Sequence, residues 1–101
     1  MATTRVYRAV SHAEHLDILR CGQFLQGPNS LEGKWFADTL SGAHLHGIDL
    51  HGPNEYHIYE AQVPNEAPSL FRILNLDAHG PARYLEMDDL KGVRPKWVTK
   101  G

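Results

Sequence analysis

The pattern of hydrophobic and polar positions divides the chain into short strands and helices. Residues 4–10 alternate and are rich in β-branched and aromatic side chains, which predicts a strand with one buried face. Ser11 then begins the pattern Ser-His-Ala-Glu, a helix N-cap followed three residues later by Glu14. Gly22 is a natural left-handed end for that helix. The pattern therefore predicts a helix over residues 12–21.

The rest of the chain predicts mainly strands. We expect strands over residues 34–37, 56–63, 83–87 and 96–99, a short second helix over 40–46 closed by Gly47, and a strand or helical turn over 70–74. Clusters of Gly, Pro and Asn predict loops at 24–33 and 47–55 and a turn at 79–81. The later strands lack intervening helices of crossover length, so the sheet should be antiparallel or mixed. We expect a single α+β domain over residues 1–101.

Charge and cysteine content narrow the functional classes. Ten basic and twelve acidic residues give a net charge of −2, which argues against a broad nucleic-acid-binding surface. Cys21 is the single cysteine, so neither an internal disulfide nor a cysteine zinc cluster can form. We interpret Cys21 as a buried structural residue, because the negative end of a helix disfavours a thiolate. No apolar run would span a membrane and no signal-peptide pattern is visible, which predicts a cytoplasmic protein without a membrane partner.

Histidine is the one residue type in excess. The chain has seven, and four of them, at positions 44, 46, 51 and 57, lie close together in the sequence. On a strand His44 and His46 would share one face, and the other two would complete a metal site. The glycines between them and the lack of cysteine ligands favour loop or surface positions, so we expect no metal.

Two segments carry candidate binding residues. Arg8, next to Tyr7, lies in an otherwise apolar strand, where its guanidinium would bind a phosphate or carboxylate or pair with an acidic side chain, Glu60 or Glu86. The run Lys34-Trp35-Phe36 places a cation beside two aromatic rings, which suits a flat ring that carries a phosphate. The alternative is that both rings fill the core and Lys34 is solvated.

Glu86 is the candidate catalytic carboxylate. It alternates with Tyr84 on one face of a predicted strand. Glu60 lies in the middle of another, the strand predicted over 56–63. A carboxylate held among strands near a lysine or arginine is suited to catalysis or to orienting a ligand. Either residue would serve equally well as a solvated strand residue.

The order of these segments resembles a known family. Tyr7-Arg8-Ala9-Val10-Ser11, Gly33-Lys34-Trp35-Phe36-Ala37 and the strand ending Glu60-Ala61-Gln62-Val63-Pro64 are similar to segments of small ADP-ribosyltransferase-like domains. Such domains form the C-terminal ends of bacterial polymorphic toxins, among them rearrangement-hotspot (Rhs) and contact-dependent-inhibition proteins. The run Gly80-Pro81-Ala82-Arg83-Tyr84 followed by Glu86 extends the resemblance.

The resemblance implies a split sheet that clasps nicotinamide adenine dinucleotide (NAD) as a substrate. In that interpretation Arg8 holds a phosphate or ribose, Trp35 or Phe36 flanks the nicotinamide, and Glu86 stabilises the ribose as nicotinamide leaves. The acceptor is a macromolecule or water, and a cognate immunity protein is a further expected partner. Tyr84 stands where classical transferases carry Gln or Glu, two residues before the catalytic Glu. The hypothesis requires Arg8 and Glu86 to line one cleft with Trp35 or Phe36, and their placement on opposite faces of the sheet would remove it.

Two other function classes stay open. A toxin-type ribonuclease would use His44, His46, Lys34 and Arg83 for acid–base work and phosphate stabilisation. A non-catalytic binding module, such as an immunity-like partner protein, would need none of these chemical roles.

Overall fold

The computed structural model describes residues 2–24, 33–71, 73–76 and 80–101. Most of the loop predicted at 24–33, and the first residue of the turn predicted at 79–81, lie outside these ranges. In the described ranges the strands are β1 (Thr3–Val10), β2 (Gly33–Ala37), β3 (His57–Pro64), β4 (Ile73–Leu76), β5 (Gly80–Glu86) and β6 (Lys96–Lys100). The helices are α1 (His12–Cys21), α2 (Leu40–His51) and α3 (Met87–Leu90), with a 3₁₀ turn at Pro68–Phe71. No helix in these ranges is long and apolar enough to cross a membrane.

The strands form a sheet in the order β4-β5-β2-β1-β3-β6. All strand pairs in the described residues are antiparallel, which confirms the predicted α+β class. β1 pairs with β3 along its whole length, but β1 and β2 are matched only at Tyr7 and Ala37. The sheet therefore consists of two half-sheets, β4-β5-β2 and β1-β3-β6. We call the unpaired wedge beside that junction, between the end of β1 and the start of β2, the split.

Helices cover both faces of the sheet. On the α1 face, Val6 and Phe36 pack with Ile18 of α1 and with residues of the 3₁₀ turn and α3. On the α2 face, Ala43 of α2 packs against a smaller cluster that includes Ile58. Because strand residues alternate between faces, this division fixes the direction of every side chain around the split.

The structure confirms the first predicted helix. The Ser11 hydroxyl accepts a hydrogen bond of 3.2 Å from the backbone N–H of Glu14, as expected of an N-cap. At the other end Gly22 adopts the left-handed conformation, with φ of 72°, and its backbone N–H donates to the carbonyl oxygen of Ile18. Cys21, in contrast, is exposed, which corrects the expectation of a buried residue. Within α1 only Ile18 is buried, and Cys21 lies at the solvent-facing end of the helix.

The second helix is longer than the sequence predicted. It begins after the Thr39 N-cap, whose hydroxyl accepts from the Gly42 N–H at 3.0 Å, and it continues to His51. Gly47 does not end it, because this glycine is buried where the helix contacts the ring of Tyr56. The positive-φ residue at the helix end is Gly52, with φ of 93°. The loop predicted at 47–55 therefore begins only after His51.

The later elements differ from the prediction in their boundaries. The region predicted as a strand or a turn at 70–74 contains parts of both, the 3₁₀ turn and then β4. β5 ends at Glu86, one residue before the predicted end, because Met87 begins α3, a helix that the sequence did not predict. β6 agrees with its prediction and ends one residue later, at Lys100.

Candidate functional site

A cluster of three charged side chains, Arg8, Glu14 and Lys34, lies at the split. The Arg8 guanidinium donates two hydrogen bonds to Glu14, from Nε to Oε2 and from Nη2 to Oε1, each of 2.8 Å. Its Nη1 donates a third, of 3.0 Å, to the backbone carbonyl of Trp35. Arg8 therefore ties the end of one half-sheet, the first turn of α1 and the start of the other half-sheet together. We call these three residues the split cluster.

The split cluster carries more positive than negative charge. Lys34 Nζ lies 3.7 Å from Glu14 Oε2, so one carboxylate is shared between two cations. The Lys34 side chain is only 8% exposed, and those of Arg8 and Glu14 are each 18% exposed. The three side chains together carry a formal charge of +1, and Asp17 of α1 is a further negative charge that acts on Lys34. An excess buried charge is stabilised by a counter-ion, so the geometry favours binding of an anion.

The local sequence explains why Glu14 is available to this cluster. In a capping box the Glu side chain would reach back to the N-cap backbone. Here Ser11 caps the helix through its own hydroxyl, while the Glu14 carboxylate turns to the Arg8 fork. Because α1 follows β1 after a single residue, its first turn lies directly above the end of that strand.

The charges of the cluster shift the pKa values of its members. Burial alone would raise the pKa of Glu14, but the hydrogen bonds and charges of Arg8 and Lys34 together outweigh it and lower that pKa. Burial lowers the pKa of Lys34, and the nearby carboxylate of Glu14 offsets only part of the effect. Glu14 is therefore firmly ionised, whereas Lys34 gives up its proton more readily than an exposed lysine.

His51, the last residue of α2, lies within the electrostatic reach of the split cluster. Burial lowers the pKa of its imidazole, and the positive charge of Arg8 lowers it further. Helix α2 packs on the face opposite α1. The charge of Arg8 therefore acts on a titratable group of the opposite face as well as on Glu14 of its own face.

Strand alternation separates the six predicted site residues into two sets. Arg8, Lys34 and Phe36 project from the α1 face, and Tyr7, Trp35 and Glu86 from the α2 face. The expectation that Arg8 and Glu86 line one cleft is therefore not met, because the two side chains project from opposite faces of the sheet. Arg8 and Lys34 do come together, as their proposed phosphate-binding role requires.

The two aromatic candidates have different environments. Phe36 is fully buried and meets Phe24 edge-on, with ring centroids 5.2 Å apart, so it fills the core and is not available to a ligand. Trp35 is partly buried and packs against Tyr84 of β5, also at 5.2 Å. Of the two, Trp35 is therefore the candidate for a ring contact.

Tyr7 and Glu86 border the same face as Trp35. Tyr7 packs against the small core cluster beneath α2. Glu86 is matched across β5 and β2 with Gly33, so it is a diagonal neighbour of Trp35 on one face. Its backbone N–H donates to the Ser69 hydroxyl at 3.1 Å, which fixes the end of β5. An aromatic ring and a carboxylate thus lie side by side.

Arg8 does not pair with either carboxylate that the sequence offered. Glu60 lies 3.5 Å from Arg5 instead, and Glu86 is on the other face. The partner of Arg8 is Glu14, which the sequence analysis interpreted only as part of a capping pattern. The sequence did carry a signal for this ion pair. An acidic residue in the first turn of a helix that directly follows a strand can reach back to an arginine of that strand.

The residues expected of a ribonuclease do not converge. Arg83 donates to Asp38 at 2.7 Å and to the Leu70 carbonyl at 2.6 Å on the α1 face. His44 belongs to α2, on the opposite face, where its Nδ1 lies 2.9 Å from the Tyr56 hydroxyl. Lys34 is committed to the split cluster. His44 and His46 would share a face only on a strand, and both lie in the helix α2.

A different group of histidines assembles in the fold. The rings of His15 and His57 stack at 3.6 Å and nearly parallel, with His12 6.0 Å from each. His15 Nδ1 lies 2.7 Å from the Tyr59 hydroxyl, and the Trp97 indole N–H donates to His57 Nδ1 at 3.2 Å. Across the described residues no three His, Cys, Asp or Glu side chains are arranged to hold a metal ion. We call His12, His15 and His57 the histidine stack.

Comparison with known proteins gives no relative: no family model, curated protein or solved structure matches the chain.

Proposed function

We propose that the chain is an NAD-using toxin domain that binds the dinucleotide at the split and transfers ADP-ribose, or hydrolyses NAD, inside a target cell. The observation that carries this proposal is the excess positive charge of the split cluster. The resemblance to ADP-ribosyltransferase-like toxin domains supplies the reaction. The narrow junction between the half-sheets supports it as well, since the resemblance implies a split sheet.

The diphosphate of NAD is the anion that the split cluster would receive. Lys34 adds a second cation to an arginine fork whose geometry matches phosphate oxygens. Two of the Arg8 donors are already occupied by Glu14, so a phosphate would share the guanidinium with that carboxylate or displace it. In this role Glu14 keeps the two cations in place before the ligand arrives.

The nicotinamide end would lie on the α2 face. This placement replaces the single-cleft form of the hypothesis, which the opposite directions of Arg8 and Glu86 remove, and it requires NAD to pass through the split from the Arg8 face to the Trp35 face. NAD is long enough to place its diphosphate in the split and its nicotinamide against Trp35. Glu86 would then face the ribose from the neighbouring strand.

The chemistry requires one carboxylate near the ribose. The bond between nicotinamide N1 and ribose C1′ breaks, and its electron pair leaves with nicotinamide. The positive charge that develops on the ribose is stabilised by the Glu86 carboxylate. A macromolecular nucleophile or water then attacks C1′ and loses its proton.

The test is NAD consumption by the purified protein, with and without cell lysate as a source of acceptors. We expect turnover that falls about 100-fold or more in Glu86→Gln, which removes the charge and keeps the shape. Glu66→Gln, a change at an exposed carboxylate in the turn after β3, is the matched control and should keep the rate.

A binding measurement separates the two halves of the proposal. Calorimetry with NAD should show at least a tenfold loss of affinity in Lys34→Gln and little change in Glu86→Gln. Lys34 is the better target because Arg8→Ala would leave Glu14 buried without its main partner. Absence of both NAD binding and NAD consumption in the wild-type protein would contradict the proposal, and consumption that survives Glu86→Gln would remove Glu86 from it.

A further inference from the structure

A cavity lies where β3 and β6 form one edge of the sheet, away from the split. It has a volume of about 410 Å³, within the range of small-molecule sites. Its walls include Glu60, Gln62, Lys91, Val93, Arg94 and Lys96. None of these residues belongs to the split cluster or is used in the proposed NAD site.

The fold creates this cavity by ending one strand pairing early. β6 pairs with β3 only from His57 to Glu60, so the β3 edge beyond Glu60 faces the segment that precedes β6. Val93 in that segment is buried in the core and anchors it. β1 and β3 separate the cavity from the split, a distance of about 10 Å at ordinary strand spacing.

Cations predominate in the cavity, although the chain as a whole is acidic. Three basic side chains and one carboxylate line it, against a net charge of −2 for the protein. The carboxylate, Glu60, lies 3.5 Å from Arg5, and Lys91 lies 3.2 Å from Asp88. Among the residues that the structure describes, Arg94 and Lys96 have no ion-pair partner within 4 Å, although Lys96 lies directly opposite Glu60 in the pairing of β3 with β6.

The two walls offer complementary chemistry. An arginine fork beside a lysine binds a phosphate group through charge-assisted hydrogen bonds. Glu60 and Gln62, alternate residues on one face of β3, line the other wall. The Gln62 Oε1 already accepts a hydrogen bond of 3.1 Å from the Thr3 hydroxyl, so the Glu60 carboxylate would accept from sugar hydroxyls and the Gln62 amide N–H groups would donate to them. A small molecule that carries both a phosphate and several hydroxyl groups is a sugar phosphate.

We infer that this cavity is a binding site for a sugar phosphate, with the phosphate on Arg94 and Lys96 and the hydroxyls on Glu60 and Gln62. The site is independent of the proposed NAD site, because the two share no residue.

The experiment is a titration followed by two-dimensional NMR and by calorimetry, with ribose 5-phosphate as the probe. Inorganic phosphate and ribose, each alone, are the comparison arms. We expect shifts in the amides of residues 60–63, 91–94, 96 and 97, and an affinity at least tenfold higher for ribose 5-phosphate than for inorganic phosphate. Two additional hydroxyl hydrogen bonds account for a difference of that size.

Variants assign the contacts. Arg94→Gln with Lys96→Gln should lower the affinity tenfold or more, and both side chains are exposed, so the fold is retained. Lys100→Gln is the control for Lys96→Gln, because each removes one positive charge from β6 and Lys100 lies outside the cavity. Glu60→Gln should reduce the preference over inorganic phosphate and leave phosphate binding unchanged.

Three results would overturn the inference. They are the absence of shifts around the cavity, equal affinity for ribose 5-phosphate and inorganic phosphate, and an equal loss in Lys100→Gln. NAD consumption by the variant that carries both Arg94→Gln and Lys96→Gln tests the proposed NAD site at the split without the cavity. Failure of one site is therefore distinguishable from failure of the other.

Discussion

Glu14 holds two cations at the split, and its removal should cost more than the loss of one hydrogen bond. Glu14→Gln would leave the charges of Arg8 and Lys34 close together and poorly solvated. Removing the charge of one partner from a buried ion pair typically lowers the free energy of unfolding by about 3 kcal/mol or more. We expect a loss of about 3 kcal/mol, measured by urea denaturation.

A second acidic residue of α1 provides the control for this measurement. Asp17 pairs with Arg20 at 2.7 Å, but both side chains are well exposed. Exposed pairs contribute little to stability, so Asp17→Asn should shift the urea midpoint only slightly. Equal effects of the two substitutions would show that Glu14 does not act through the split cluster.

The histidine stack should make stability depend on pH. Burial lowers the pKa of His57, and the charges of His15, His12 and Lys100 lower it further. Trp97 of β6 and Tyr59 of β3 bond to the stack, and Glu55 lines a small cavity beside His57. Burial likewise lowers the pKa of His15.

The sign follows from proton binding. The folded state holds the protons of His15 and His57 less tightly than the unfolded chain, in which histidines titrate near pH 6.5. Stability is therefore highest above about pH 6.5 and declines as the pH falls from there toward the lowered folded pKa. Melting temperatures between pH 5 and pH 7.5 should rise with pH, and less steeply in His57→Gln.

Tryptophan emission offers an independent readout of the same event. The Trp97 N–H donates to His57 Nδ1, which loses its acceptor lone pair on protonation. Emission from Trp97 should change over the same pH interval in a Trp35→Phe background and stay constant when His57→Gln is added. A pH-independent melting temperature together with constant emission would contradict this assignment.

At the scale of elements, the contact between α2 and the sheet depends on Gly47. A Cβ at this position would lie 2.5 Å from Cδ2 of Tyr56, whose ring is buried in the core beneath the helix. Gly47→Ala should gain about 1 kcal/mol of helix propensity but lose about 1–3 kcal/mol through overpacking. We expect a net loss of stability, measured by thermal unfolding.

An exposed position of the same helix separates these two contributions. Ser41 is exposed in the first turn of α2, so Ser41→Ala changes helix propensity without filling a contact. It should leave the melting temperature nearly unchanged or raise it. A rise in Gly47→Ala as well would show that α2 moves to accommodate the methyl group.

At the scale of the whole molecule, the two half-sheets should open at different free energies. β1 and β3 share eight matched residue pairs, whereas a single pair joins β1 to β2. Cooperative units in native proteins follow such contact boundaries. In native-state hydrogen exchange we expect the amides of β2 and β5 to exchange through a lower-energy opening than those of β1 and β3. One common opening energy for all four strands would contradict this division.

The sequence by itself determined the elements whose signals are local. Ser11 and Gly22 fix both ends of α1 because caps act through backbone groups a few residues away, and the alternation in β1 and β3 needs no distant partner to be recognised. The α+β class followed from the lack of crossover helices, which left the sheet antiparallel or mixed. The residue types themselves identified Arg8 and Lys34 as candidate phosphate-binding residues, and the fold does bring the two side chains together around Glu14.

Only the tertiary structure decided what each of these residues touches. Gly47 looked like a helix end, but its lack of a side chain makes room for Tyr56, which comes nine residues later. Glu14 looked like a capping residue, and Phe36 like a ligand contact. The first became the partner of Arg8 and the second a core residue. Local patterns record the preferences of the backbone, whereas ion pairs, ring contacts and the split depend on strand order and register, which residues far apart in the chain set together.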